Sequence, residues 1–240
     1  YCENTYSTHH PSQTAYALAI DFNLMPEETM AQTTHYFVES IHRRDNHLSV
    51  GFLGISHLLP ALTKCGQSEL AFALLEQKGN PGWLYSVING ATTIWERWNS
   101  YIAETGTFGD VSMNSFNHYA YGSIGQWLYR TVLGIQTGEN ADEAGYHKIF
   151  LTPSWGGTLT YAKGEQKTPF GKIASSWEKK DNSIVYHCTI PANTTAHLTL
   201  PASGHNSVQI LEGAAITDTA AVSGVADFEL VSGSYTFKIC

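Results

Sequence analysis

Apolar side chains recur with the period of a helix along the first part of the chain and with the period of a strand along the last part. After Thr14, the residues Ala15, Leu18, Ala19 and Phe22 follow the i, i+3, i+4, i+7 spacing of one buried helical face. Pro26 opens a second helical segment over 26–44. It carries Glu27 and Glu28 in its first turn and Arg43 and Arg44 in its last, the charge order that the helix dipole favours. A third segment covers 53–64, and Gly66 follows it where a helix commonly ends, because glycine takes a positive φ without a Cβ clash. The same texture predicts helices over 68–77, from Thr92 onward and over 116–135. The helical part as a whole is expected to hold about seven helices, in antiparallel-looking pairs.

After Gly145 the period changes to two. Ile149, Leu151, Leu159, Tyr161, Ile173, Ser175 and Trp177, then Ile184, Tyr186, Cys188 and Ile190, alternate with polar neighbours. Gly156-Gly157, Lys180-Asp181-Asn182 and Ser203-Gly204 supply turns between them. Many short strands at this spacing predict a β-sandwich. The change of texture divides the chain into a helical part over 1–143 and an all-β sandwich over 144–240, and 240 residues suffice for two modest cores.

Composition narrows the partners. Hydrophobic residues make up 42% of the chain and charged residues 14%, a balance that folds. The net charge is −8 with only 13 Lys and Arg, so no basic footprint invites nucleic acid or anionic lipid. No apolar run approaches the roughly 18–20 residues of a membrane span. Cys2, Cys65, Cys188 and Cys240 show no CxxC spacing, and His9, His10, His35, His42, His47 and His57 show no HExxH, so neither a metal nor a cofactor is expected. A P-loop and a nucleophile-elbow motif are also missing, which argues against nucleotide enzymes and serine hydrolases.

The stretch most able to carry chemistry is Gly90-Ala-Thr-Thr-Ile-Trp-Glu-Arg-Trp. It sets one carboxylate, Glu96, between Trp95 and Trp98. With Thr92 or Thr93 as N-cap, Glu96 would sit in the first turns of a helix and face what the preceding loop encloses. A capping box with core tryptophans is the competing reading. Against it stands the crowding of Trp83, Tyr85, Trp95, Trp98 and Tyr101 into one short span, because aromatic faces stack on sugar rings while their polar tips bond hydroxyls. A second cluster, Met113-Asn-Ser-Phe-Asn-His-Tyr-Ala-Tyr-Gly, offers Asn114, Asn117 and His118 as neutral hydrogen-bonding groups. Glu96 is therefore the candidate catalytic residue. His118, Trp83, Trp95, Trp98 and Asn117 are the candidate substrate contacts, with a purely structural His118 as the alternative.

Taken in order, five segments resemble the bacterial α-L-rhamnosidases. They are Gly51-Phe-Leu-Gly-Ile-Ser-His-Leu-Leu-Pro-Ala-Leu, Leu70-Ala-Phe-Ala-Leu-Leu-Glu-Gln, Pro81-Gly-Trp-Leu-Tyr, the stretch around Glu96, and Ser115-Phe-Asn-His-Tyr-Ala-Tyr-Gly. The resemblance extends through Ile190-Pro-Ala-Asn-Thr-Thr-Ala into the sandwich. It implies the C-terminal half of an (α/α)6 barrel followed by a β-sandwich, in an enzyme that removes terminal α-L-rhamnose from glycosides or polysaccharides with inversion and no cofactor. By motif, Glu96 corresponds to the general base and His118 to a sugar-binding residue. Asn99 departs from the Asp that the family often carries. The family's general acid has no counterpart here, so the chain is expected to need the missing N-terminal part of the same enzyme and to be inactive alone. The compartment is open between bacterial cytoplasm and periplasm. Two other readings stay open: a non-catalytic carbohydrate-binding fragment, and another (α/α)-barrel glycosidase or lyase.

Overall fold

The hydroxyl of Ser12 accepts a hydrogen bond from the Ala15 N–H at 3.2 Å, and this cap starts the first helix, α1 (Gln13–Asp21). The computed structural model describes residues 12–138, 140–141, 143–202, 207–213, 217–218 and 224–240. Cys2, His9, His10 and the turn expected at Ser203-Gly204 lie outside the described residues. Four more helices follow: α2 (Glu27–His42), α3 (Phe52–Lys64), α4 (Ser68–Leu75) and α5 (Trp83–Ile88). Gly66 takes φ 72° just past α3, and Glu27 and Glu28 occupy the first turn of α2, as the pattern requires.

Tyr16, Ala17 and Ile20 of α1 pack in one core with Phe37, Ile41, Leu58, Leu62 and Phe72. A Cβ on Gly54 would stand 2.5 Å from the Thr14 hydroxyl, so α1 and α3 approach as closely as they do only because residue 54 lacks a side chain. Gln13 is 3% exposed, and its amide spans the loop after α2. Its Nε2 donates to the carbonyls of Ser40 and His47, and its Oε1 accepts from Ser49 N–H at 2.6 Å. One buried side chain thus fixes the loop that borders the candidate site.

Two expected helices take another form. The stretch around Glu96 is not helical: α5 is closed by Asn89 and Gly90 (φ 83°), and the chain from 91 to 119 holds only the hairpin β1 (Tyr101–Ile102) and β2 (Thr107–Phe108). The long helix expected over 116–135 is reduced to a 3₁₀ turn (Ala120–Ser123), α6 (Ile124–Trp127) and a π-helical turn (Leu128–Val132). The first departure and the late start of the second have one cause. The backbones of 94–96 and 115–118 bond to each other, and those long-range bonds use the groups that a helix would have needed.

The strands are β3 (Ile135–Thr137), β4 (Lys148–Leu151), β5 (Tyr161–Thr168), β6 (Gly171–Lys180), β7 (Ser183–Ile190), β8 (Thr195–Pro201), β9 (Val208–Glu212), β10 (Thr217–Asp218), β11 (Val225–Leu230) and β12 (Gly233–Ile239). They form two five-stranded sheets, ordered β10-β11-β8-β4-β3 and β5-β6-β7-β12-β9. Among the described residues every pairing is antiparallel except β4 with β8. Ala196, Leu198 and Leu200 of β8 register against Leu230, Phe228 and Ala226 of β11, all buried on one face. Phe228 meets Phe237 of the other sheet at 5.1 Å between ring centroids, which closes the sandwich core.

Among the described residues, compactness separates those of 1–125 with 156–158 from those of 126–155 with 159–240. The segment 126–143, helical in its sequence texture, is grouped with the sandwich. Trp177 donates its indole N–H to the Val132 carbonyl at 2.8 Å, and Ser175 donates its hydroxyl to the Leu133 carbonyl at 2.6 Å. These buried bonds hold the chain that leads into β3.

Candidate active site

Glu96 is half-buried in a bend, and two backbone bonds align its segment with the second cluster. The Glu96 N–H donates to the Ser115 carbonyl at 2.8 Å, and His118 N–H donates to the Ile94 carbonyl at 2.8 Å. The Thr93 hydroxyl adds a bond to the Phe116 carbonyl. Ser115 N–H in turn donates to the Glu96 carboxylate, at 2.7 Å to Oε2. One carboxylate oxygen is therefore anchored to the backbone, and Oε1 accepts no hydrogen bond among the described residues. A charge-assisted bond of this kind fixes the carboxylate without consuming both of its acceptors.

Aromatic rings wall the site. Trp98 stacks on Tyr121 with centroids 3.8 Å apart and planes 9° from parallel, while Trp83 meets Trp98 edge-on at 5.4 Å. Trp83 is 7% exposed and donates its indole N–H to the Tyr121 carbonyl at 3.0 Å. Trp95 is 6% exposed and packs edge-on against Phe116. Trp83, Trp95, Trp98, Arg97 and Tyr121 enclose a hollow of only about 20 Å³, too small for a sugar ring. Trp98 also borders an open cleft of about 660 Å³, whose other walls include Arg44, Asp45, His47 and Asn80. Of the three tryptophans expected to touch substrate, Trp98 lines a space of saccharide size, while Trp83 and Trp95 line the small hollow beside it.

His118 stacks on Phe52 at 4.6 Å and on Tyr119 at 5.2 Å. The Ala120 N–H donates to its Nδ1 at 3.3 Å. With Nδ1 accepting, a neutral imidazole carries its proton on Nε2, which is then a donor available to a hydroxyl. Asn117 is exposed, and its backbone N–H is held by the Ser115 hydroxyl at 3.1 Å. Asn114 is turned the other way, its Nδ2 donating to the Ser100 carbonyl at 2.9 Å.

Burial raises the Tyr121 phenol above its ordinary value, with Arg97 opposing the shift and the nearby charge of Glu96 adding to it. The phenol stays protonated at neutral pH. Arg97 donates to the Met113 carbonyl at 2.8 Å and stands 3.5 Å from Asp110. The carboxyl of Asp110 is held below its ordinary value, chiefly by the Ser112 hydroxyl at 2.6 Å and then by the Ser112 N–H. Among the described residues, no group of three His, Cys, Asp or Glu side chains could hold a metal ion.

Sequence reasoning overlooked Ser115, Phe52 and Tyr121, which anchor the carboxylate, back the imidazole and support Trp98. Ser115 and Tyr121 lie inside the second cluster, so the available signal was the pairing of the two clusters with each other.

The bacterial alpha-L-rhamnosidase 6 hairpin glycosidase domain matches residues 1–132, more than half of the chain. The chain belongs to that family. The family's C-terminal domain matches 134–215. An alpha-L-rhamnosidase of Streptomyces avermitilis is 40% identical over 228 residues, which are 95% of this chain and 21% of that protein. One from Formosa agariphila is 41% identical over 199 residues, 83% of this chain and 21% of the relative. The crystal structure of the S. avermitilis rhamnosidase complexed with L-rhamnose superimposes with a TM-score of 0.87 at 39% identity, covering 95% of this chain and 21% of that one. That of the Dictyoglumus thermophilum rhamnosidase gives 0.82 at 30% identity, covering 99% and 26%. The chain thus spans about a fifth of the length of the curated relatives it matches. A six-hairpin helical domain followed by a β-sandwich is the family's arrangement, and residues matching each of the two domains are present here.

Proposed function

We propose that this chain supplies the general-base side of an inverting α-L-rhamnosidase active site, with Glu96 as the base. The observation that carries the proposal is the anchoring of the Glu96 carboxylate by Ser115 N–H through one oxygen only. In an inverting hydrolysis, one carboxylate removes a proton from a water beneath the anomeric carbon. A second carboxyl, about 6.5–9.5 Å away, protonates the departing oxygen. Oε1 of Glu96 suits the first task. The water attacks as its proton passes to Oε1, the bond from the anomeric carbon to the aglycone oxygen breaks, and the configuration inverts.

Trp98 and His118 hold the sugar in this reading, Trp98 along the 660 Å³ cleft and His118 through its Nε2 proton. Asn117 contributes an exposed amide. Trp83 and Trp95 act by fixing Trp98 and the segment that carries Glu96. The substrate is a rhamnose-containing glycoside, and the acid comes from a part of the enzyme outside these 240 residues. For the 240 residues alone, sugar binding without cleavage is the second reading. Asp110 favours it, since the Ser112 bonds make its carboxyl less readily protonated than an ordinary one.

The stereochemistry of the first product tests the reaction class. With a full-length rhamnosidase carrying this chain and an aryl α-L-rhamnoside, proton NMR in the first minutes is expected to show β-L-rhamnose, with the α anomer growing in later by mutarotation. Initial release of the α anomer would mean a retaining enzyme, and Glu96 would lose its assigned role.

A further inference from the structure

Two uncommon backbone features converge on one cavity of the sandwich unit. The turn Leu128–Val132 is π-helical, a form found mostly as single turns and often at functional sites. Tyr146 has φ 69°, a left-handed conformation that a bulky side chain rarely adopts. Its N–H is held by the Thr137 hydroxyl at 3.2 Å, and Gln136 Nε2 donates to the Arg130 carbonyl on the π turn at 3.0 Å. Residues forced into sparsely populated backbone regions cluster at ligand clamps, where the surroundings over-determine them.

The cavity measures about 450 Å³, within the range of small-molecule sites. Tyr129, Arg130, Gln136, Tyr146 and Gln166 line it, and among the described residues Arg130 is the single charged lining residue. No ion pair engages the Arg130 guanidinium among the described residues. Two described carboxylates of this unit have other partners: Glu165 pairs with Lys172 at 2.8 Å, and Glu143 lies 3.7 Å from Lys148 and accepts from Asn140 at 3.0 Å. Phenol rings offer flat faces for the C–H side of a pyranose, and Gln136 and Gln166, each giving one amide N–H to a backbone carbonyl, keep a second N–H and an oxygen for hydroxyls. A guanidinium forks onto a carboxylate or sulfate through two parallel N–H donors.

We infer that this cavity is a second saccharide site, which takes a sugar residue bearing one anionic group, a carboxylate or a sulfate ester. Arg130 holds the anion, and Tyr129 and Tyr146 flank the ring. The choice of a sugar rests on the reading of the chain as part of a glycoside hydrolase, but the site makes no use of Glu96. Galacturonate binding by this chain and rhamnoside cleavage by the full-length enzyme are separate readouts, so either reading can fail without the other.

The test is ligand-observed NMR titration of the 240-residue chain with sodium D-galacturonate and galactose 6-sulfate. Galactose serves as the neutral comparator and sodium sulfate as the bare anion. Whichever of the two charged sugars binds more tightly identifies the anion. At least one is expected to bind saturably and about tenfold or more tighter than galactose, the factor that one charge-assisted contact supplies. Arg130→Gln is expected to remove that preference. Tyr146→Gly is expected to weaken binding at least about threefold without lowering the thermal midpoint, since glycine takes the positive φ freely. Equal binding of charged and neutral sugars would overturn the inference. So would sodium sulfate competing as strongly as the sugars, or an Arg130→Gln variant that binds like the parent.

Discussion

Glu96→Gln, in a full-length rhamnosidase carrying this chain, is expected to lower kcat at least about 10²-fold, the scale of a lost acid–base group. The fold is expected to survive. The introduced amide would keep a side-chain oxygen where Ser115 N–H donates, so the pairing of 94–96 with 115–118 need not change. What the substitution removes is basicity, since an amide cannot take a proton from the attacking water. Steady-state rates with an aryl rhamnoside, set beside the circular dichroism and thermal midpoint of the variant, separate loss of chemistry from loss of structure. A near-normal kcat would mean that Glu96 is a structural carboxylate and that its bond to Ser115 is its whole purpose.

The 240-residue chain alone is expected to show no enzymatic turnover of p-nitrophenyl α-L-rhamnoside. Inversion needs a proton donor on the leaving-group side as well as a base, and the two must be held in register with the sugar. The carboxyl linked to the site through Arg97 is Asp110, and the Ser112 hydroxyl and N–H favour its ionised form. Because its pKa is shifted downward, it takes up a proton less readily than an ordinary carboxyl and is the less suited to hold one for the leaving group. Glu39 is tied to Arg43 at 2.7 Å on an exposed helix face. Asp45 lines the cleft beside Trp98 and is the carboxyl best placed to surprise. A rate above about 1 s⁻¹, within the usual enzymatic range, would show that these residues already hold an acid, and Asp45→Asn would then be the variant to make.

Helix ends and strand faces were legible because they are local. Pro26, Glu27 and Glu28 start α2, Gly66 with φ 72° follows α3, and the alternation through Ile173, Ser175 and Trp177 marks the inner face of β6. The helix drawn through Glu96 failed for the complementary reason. Capping residues and spacing favoured a helix, but the backbone of 94–96 found partners near residues 115–118, and pairing across that sequence distance leaves no local trace. The aromatic cluster was legible as a density and not as a geometry. Composition cannot say that Trp83 and Trp95 are buried behind while Trp98 borders the cleft, because burial depends on which ring Tyr121 covers. The two clusters contain nearly every residue of the candidate site, and what the sequence withheld was that they pair.

Azide rescue tests the role of Glu96 most directly. In Glu96→Ala of the full-length enzyme no base removes the proton of water, but azide has no proton to lose. It can attack the anomeric carbon from the face the water would have used, while the aglycone oxygen departs from the other face with its electron pair. The expected result with an activated aryl α-L-rhamnoside is a rate that rises with azide concentration and a β-L-rhamnosyl azide product identified by NMR. An α-configured azide, or hydrolysis in Glu96→Ala that proceeds at the parent rate and ignores azide, would contradict the assignment of Glu96 as the general base.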